Sequence, residues 1–289
     1  MYLRLVNAWL WVSVVLIVLL GFPVVLAVFL VTAPFDPGRY QAGRMFRRLG
    51  VVHTAVNPLW RFRLSGVHPR DPRHPYVAVS NHESYADIFL ISHLPWEMKW
   101  LSKETIFRIP VMGWMMRMAG DIHLVRSKRG SGVKALEQCR DRLRKRVSVM
   151  IFPEGTRSRS GAMLPFRDGA FRVAIDMQLP ILPIVVAGTS GMMAKGSFQF
   201  RPAHADCRVL PPVPTTGLTL DDLPALREQV RALIAAERRQ LAVERGETPP
   251  PAPAPAQPGP VLGADVSETD GEDAAAPHPP QPDASSLHG

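Results

Sequence analysis

The stretch VAVSNHESYADIFLI, residues 77–91, sets a polar patch, SNHESYAD, between two apolar runs. YVAVS reads as a buried strand and SYADIFLISHL as a helix beginning near Ser84, so the patch falls at the carboxyl end of a strand. Open α/β sheets place their ligands at that end. His82 and Asp87 stand five residues apart. With one helical turn between them, Asp87 can fold back onto Nδ1 of His82 and leave the other ring nitrogen free to take a proton. The plain alternative is a turn in which Ser84 or Asn81 caps the helix and His82 is an ordinary polar turn residue. Spacing does not separate the two, because it recurs at His278 and Asp283. That second pair is flanked by prolines and has no scaffold to hold a geometry.

Outward from this stretch, strand-like runs alternate with helical ones. VSVMIF (147–152), ILPIVVAG (181–188) and CRVL (207–210) read as buried strands; GVKALEQCRDRLRKR and LPALREQVRALIAAERRQL read as helices. The alternation predicts an α/β fold with a mostly parallel central sheet flanked by helices. Three segments follow: a membrane-embedded helical segment over 1–36, a catalytic domain over 37–247 and a tail over 248–289. The tail is rich in proline and alanine, acidic and free of aromatic residues, which predicts disorder.

No charge occurs between Arg4 and Asp36, and Trp9 to Val31 is almost wholly apolar. About 20 such residues cross a bilayer, so the segment is long enough. A cleaved signal peptide would have a shorter apolar region. Gly21 and Pro23 interrupt the run, so one spanning helix and a re-entrant pair of helices are both open. Arg39, Arg44, Arg47 and Arg48 follow the run and only Arg4 precedes it, which predicts an inner- or plasma-membrane protein whose catalytic domain faces the cytoplasm.

The net charge is +9, but from Pro249 onward there are six acidic residues and no Lys or Arg, so residues 1–248 carry +15. So basic a body suits an anionic partner, such as membrane lipid or a phosphorylated substrate. Aromatic residues make up 8% of the chain and are not interleaved with the basic runs, which argues against nucleic acid. Cys139 and Cys207 lack the pattern of a disulfide scaffold or zinc site and read as buried thiols in a reducing compartment.

Two further clusters carry chemistry. IFPEGTRSRSG (151–161) is a strand ending in a turn that presents Glu154, Thr156, Arg157 and Arg159, a rim suited to phosphate. GDIHLVRSKRG (120–130) brings Arg126, Lys128 and Arg129 after a short apolar stretch. The chain has no GxSxG, which excludes a nucleophile-elbow hydrolase. GMMAKGS (191–197) lacks the lysine of a phosphate-binding loop. If His82 is a base, the nucleophile is then the substrate's own hydroxyl.

NHESYAD followed by FPEGTR resembles the glycerophospholipid acyltransferase family, in its 1-acyl-glycerol-3-phosphate acyltransferase branch. The family's four blocks correspond, in order, to Asn81–Asp87, Gly120–Arg126, Phe152–Arg157 and Leu179–Val185. The run LSKETIFRIPVMGWMMRMAG also resembles the family's, and the likeness covers roughly residues 60–215. His123 departs from it, standing where the second block usually has an aromatic or aliphatic residue.

The resemblance implies transfer of a fatty acyl group from an acyl-CoA or acyl-carrier-protein thioester to the sn-2 hydroxyl of lysophosphatidic acid. His82 would be the base and Asp87 its orienting carboxylate. Arg126 and Arg157 would hold the phosphate with Lys103 as helper, and Glu154, Gly155 and Thr156 would shape the acceptor site. The thioester is a co-substrate, and no metal or prosthetic group is implied. The implied partners are anionic membrane lipids, lysophosphatidic acid and the thioester carrier, with no nucleic acid. The alternatives are an acyltransferase for another lysophospholipid or a lyso-aminolipid, and, from another class, a membrane-tethered nucleic-acid-binding module. The methionine-rich IFRIPVMGWMMRM (106–118) could line an acyl groove or serve as core.

Overall fold

The structure, a computed structural model, describes residues 1–125, 130–158, 161–193 and 199–253. The charge-free run VAVS forms β2 (Val77–Ser80), with all four residues buried at the centre of a seven-stranded sheet. Parallel neighbours flank it, β5 (Ser148–Ile151) on one side and β6 (Ile181–Ala187) on the other. Beyond β5 lie β3 (Met98–Lys103) and then the edge strand β4 (Ile122–Leu124), both parallel as well. On the other side β7 (Ala203–Val209) runs antiparallel to β6, and β1 (Trp60–Gly66) pairs parallel to β7 at the second edge. The mostly parallel sheet expected from the apolar runs is present.

Side chains alternate between two cores, as the period of a strand requires. Val77, Val79, Val149 and Ile151 face α6 (Ser131–Arg144), α7 (Gly169–Met177) and α8 (Leu223–Glu244). Ala78, Met150, Leu182 and Ile184 face α3 (Ala86–Ile91) and Leu10 of α1 (Tyr2–Thr32). The first helix turn lies two residues later than Ser84; its N-cap is Tyr85, which makes no side-chain cap bond, while the Ser84 hydroxyl oxygen accepts the Ala86 amide at 3.3 Å. Cys139 and Cys207 are both buried and unpaired, and burial pushes the Cys139 thiol up to about 12.

The apolar N-terminus forms one continuous 31-residue helix that carries Pro23 inside it, so the re-entrant pair is not what the chain forms. The mean hydropathy is 3.2 over its most apolar window, 11% of which is buried; by length and composition it could cross a membrane. It is also docked along its length. Asn7 pairs with both the amide and the carbonyl of Phe200, at 2.7 and 3.0 Å, and Phe22 meets Trp114 at 5.8 Å. Trp114 belongs to α5 (Met112–Ala119), which follows α4 (Glu104–Phe107). Phe107, Met115 and Met116 are buried, so these side chains of the methionine-rich stretch pack the interior and do not line a groove.

The helix α2 (Tyr40–Ala55) joins α1 to the sheet over a buried quartet of charges. Lys99 Nζ donates to Glu97 Oε1 at 3.0 Å and to the Arg39 carbonyl at 2.7 Å, while Arg47 pairs with Asp121. Asp121 also accepts the Trp100 amide at 3.0 Å. Burial pushes Glu97 up and Lys99 down, against their mutual attraction, so the quartet fixes where α2 sits more than it adds stability. Only glycine fits at position 43, where a Cβ would fall on Glu97 Oε1 and Lys99 Nζ. Gly43→Ala should therefore lower stability by about 2–4 kcal/mol, read from urea unfolding in detergent. Gly191→Ala, where a Cβ would meet nothing within 4 Å among the described residues, is the control. A Gly43→Ala protein as stable as wild type would show that α2 docks without the quartet.

Candidate active site

Because β6, β2, β5, β3 and β4 are parallel, their carboxyl ends share one edge of the sheet. The polar blocks follow those ends: Asn81 and His82 after β2, Phe152 to Arg157 after β5, Lys103 closing β3, and Thr189 after β6. Arg126 would follow β4, but it lies outside the described residues, as do Lys128, Arg129 and Arg159.

Asn81 continues β2 with its side chain. Its Nδ2 donates to the Val186 carbonyl at 2.8 Å and its Oδ1 accepts the Val186 amide at 3.0 Å, a splint that fixes the chain just before it turns. His82 then faces Asp87 through Nδ1, 2.7 Å from Oδ2. The same carboxylate oxygen accepts the Glu83 amide at 2.8 Å and the Ser84 amide at 3.0 Å, and Oδ1 accepts the Thr189 hydroxyl. Asp87 is fully buried; four donors offset the cost of its charge. An ionised carboxylate only accepts, so Nδ1 carries the proton, and in the neutral imidazole Nε2 then holds the lone pair. The His82 side chain is 15% exposed, so the imidazole is not sealed from the surface. Phe152 stacks on the imidazole with ring centroids 4.1 Å apart and planes at 22°.

Glu154 is committed to the backbone. Its Oε1 accepts the His82 amide and its Oε2 the Leu164 amide, each at 2.8 Å, so it ties the His82 turn to the chain following FPEGTR. Burial pushes its carboxyl up to about 7, with the two amides pulling the other way. Gly155 takes φ +71°, and a Cβ there would meet Arg167 Nε at 2.9 Å, so the turn needs glycine. Arg157 lies over the Tyr85 ring at 4.1 Å, and its buried Nη1 has no hydrogen-bond partner among the described residues. Thr156 and Lys103 are exposed.

His82, Asp87, Glu154, Gly155 and Arg157 thus come together around one turn. Lys103 closes β3, on the far side of β5 from His82. Sequence reading left Asn81, Phe152 and Thr189 without roles in the site. The available signal was position: each follows a strand whose carboxyl end opens on this edge. Among the described residues no group of three His, Cys, Asp or Glu is placed to hold a metal ion.

Residues 61–187 match the family model described as Acyltransferase. The chain is 34% identical over 226 residues to the 1-acyl-sn-glycerol-3-phosphate acyltransferase alpha of Homo sapiens, covering 78% of this chain and 80% of that one. It is 34% identical over 161 residues to the 1-acyl-sn-glycerol-3-phosphate acyltransferase of Saccharomyces cerevisiae, 54% of this chain and 53% of that one. The fold is similar to the crystal structure of the 1-acyl-sn-glycerophosphate (LPA) acyltransferase PlsC of Thermotoga maritima. There the TM-score is 0.69 at 24% identity, over 83% of this chain and 96% of that one.

The elevated Glu154 carboxyl makes a linkage testable. Between the ordinary value of 4.5 and about 7 the folded chain keeps a proton that the unfolded chain has released. The contribution is full below 4.5, falls as pH rises through 7 and is flat above, a change of at most about 3 kcal/mol. Glu154→Gln cannot titrate, so the stability of wild type minus that of the variant should decline across this window in urea unfolding. A difference that does not vary with pH would contradict the assignment.

Proposed function

The chain belongs to the 1-acyl-sn-glycerol-3-phosphate acyltransferase family and is an acyltransferase, and from that premise we propose that it acylates the sn-2 hydroxyl of lysophosphatidic acid to give phosphatidic acid. The acyl donor is a thioester of CoA or of acyl-carrier protein. The observation that carries this reading is the 2.7 Å contact between Asp87 and Nδ1 of His82, which turns an unprotonated Nε2 outward. Nε2 takes the proton of the acceptor hydroxyl as its oxygen attacks the thioester carbonyl. The new C–O bond forms, the C–S bond breaks, and the imidazolium returns its proton to the leaving thiolate. Asp87 stabilises the imidazolium and holds the tautomer.

Arg157 is the phosphate ligand on this reading, with Arg126 as a second ligand and Lys103 as a helper from the end of β3. The Arg157 Nη1, which has no hydrogen-bond partner among the described residues, and the planar fork of that side chain suit a phosphate monoester. Glu154, Gly155 and Thr156 act through the shape of the loop, since both Glu154 oxygens are occupied by amides. The chain's own side chains and the thioester supply the chemistry, with no bound metal or prosthetic group.

The protein works at a membrane, with its catalytic domain on the cytoplasmic side. Apolar side chains of α1 such as Leu20, Leu30 and Val31 are exposed, and leaving them in water would be costly. A cavity of about 220 Å³ lies between α1 and α2, lined by Val28, Thr32, Gln41, Arg44, Met45 and Arg48. Two arginines beside an apolar wall suit the headgroup and first methylenes of an anionic lipid.

Acyl transfer, followed by thiol release over a panel of lyso acceptors, tests the reading. Lysophosphatidic acid should be preferred; preference for a lyso acceptor without a phosphate monoester would move the assignment to another lysophospholipid or a lyso-aminolipid. His82→Ala should lose at least about 10²-fold in kcat, and Asp87→Asn should be severely impaired, while His278→Ala in the tail changes nothing. Arg157→Ala should raise the KM for lysophosphatidic acid and leave that for the thioester unchanged; lysine should restore it only in part. Full activity of His82→Ala would end the base assignment.

A further inference from the structure

The helix α8 lies beyond the part of the chain that the family model matches, yet one of its side chains reaches the candidate site. Arg238 Nε donates to Glu83 Oε1 at 2.7 Å, and Nη1 of the same side chain donates to the Gly161 carbonyl at 2.8 Å. The pair is buried, with side chains 12% and 6% exposed, so it differs from the solvated ion pairs elsewhere on the surface. Glu83 directly follows His82, and its amide is one of the donors to Asp87. Its second carboxylate oxygen lies 3.3 Å from both the Ser190 amide and the Thr189 hydroxyl. That hydroxyl is the one that binds Asp87 Oδ1.

Two buried carboxylates therefore converge on a single hydroxyl. Thr189 has one proton to give, and Asp87 needs it. Unpaired, the charge on Glu83 would compete for that proton and repel Asp87 across a region with little water. The guanidinium of Arg238 neutralises Glu83 from behind and draws its carboxylate toward α8. Its second hydrogen bond holds the chain after FPEGTR at a fixed distance from the His82 turn. We propose that Arg238 is a positioning residue for acyl transfer, acting through Glu83 to keep Thr189 and Asp87 in the arrangement that orients His82. Arg227 of the same helix pairs instead with Asp168, which directly precedes α7.

This inference rests on the reading of His82 as the base, and the test separates the two. Arg238→Met, Glu83→Gln, the double variant, Arg238→Lys and His82→Ala are assayed as full-length protein in detergent micelles, with kcat and both KM values measured. Arg238→Met should lose about 10- to 100-fold in kcat, the span of couplings between contacting residues, with both KM values changed by less than about threefold. The double variant strands no buried charge and should recover to within about fivefold of wild type. A residue needed only for folding would lower the yield of folded protein and leave kcat per folded enzyme at the wild-type value. Arg238→Lys keeps the charge and should lose less than about tenfold, which gives a readout if Arg238→Met does not fold. Wild-type kcat in Arg238→Met, or in Arg238→Lys and Glu83→Gln together, overturns the proposal, as does a double variant no better than Arg238→Met. Full activity in His82→Ala overturns the underlying reading instead, whatever Arg238 does.

Discussion

The buried carboxylate of Asp87 is the constraint on which the site depends. A charge removed from water must be surrounded by donors, and here the donors are the His82 imidazole, two successive amides of the same turn and the hydroxyl of Thr189. Each demand fixes a different element. The amides of Glu83 and Ser84 require the chain to curl immediately after β2. Thr189 requires β6 to end beside β2, which their parallel pairing provides. The imidazole is what remains to complete the set, and it is held by the one nitrogen that must then be protonated. Orientation of the base is thus a consequence of satisfying Asp87.

Around that carboxylate the chain uses polar side chains as backbone splints. Asn81 replaces a strand pairing with Val186, and Glu154 accepts two amides that have no partner in the sheet. Phe152 covers one face of the imidazole, and Trp100 lies behind Phe152 with centroids 5.9 Å apart. Arg47 of α2 sits over Trp100 at 5.4 Å. A continuous packed layer therefore runs from the helix beside the membrane candidate α1 to the candidate base.

The central strands were legible because β2, β5 and β6 are short charge-free runs, buried on both faces. β1 and β3 were not. Arg61 and Arg63 alternate along WRFRLSG as suits an edge strand, and β3 carries Lys99, whose burial is intelligible only once Glu97 and α2 are in place. The His82–Asp87 contact was readable from spacing and context, since both residues lie on one strand–turn–helix unit. Thr189 and Arg238 lie 102 and 155 residues from their partners, and no local pattern encodes such contacts. Pro23 suggested a broken helix, whereas the structure carries it inside a continuous one, packed on α2 where Gly21 lets Leu49 approach.

The central claim, that Asp87 fixes the protonation pattern of His82, is most directly tested by ¹⁵N NMR of the histidine-labelled full-length protein in detergent at neutral pH. The His82 signals are assigned from their loss in His82→Asn. The expected result is a protonated, pyrrole-type Nδ1 and a bare, pyridine-type Nε2. A bare Nδ1 with a protonated Nε2 would mean that Asp87 does not hold the tautomer, and the account of the site would fail.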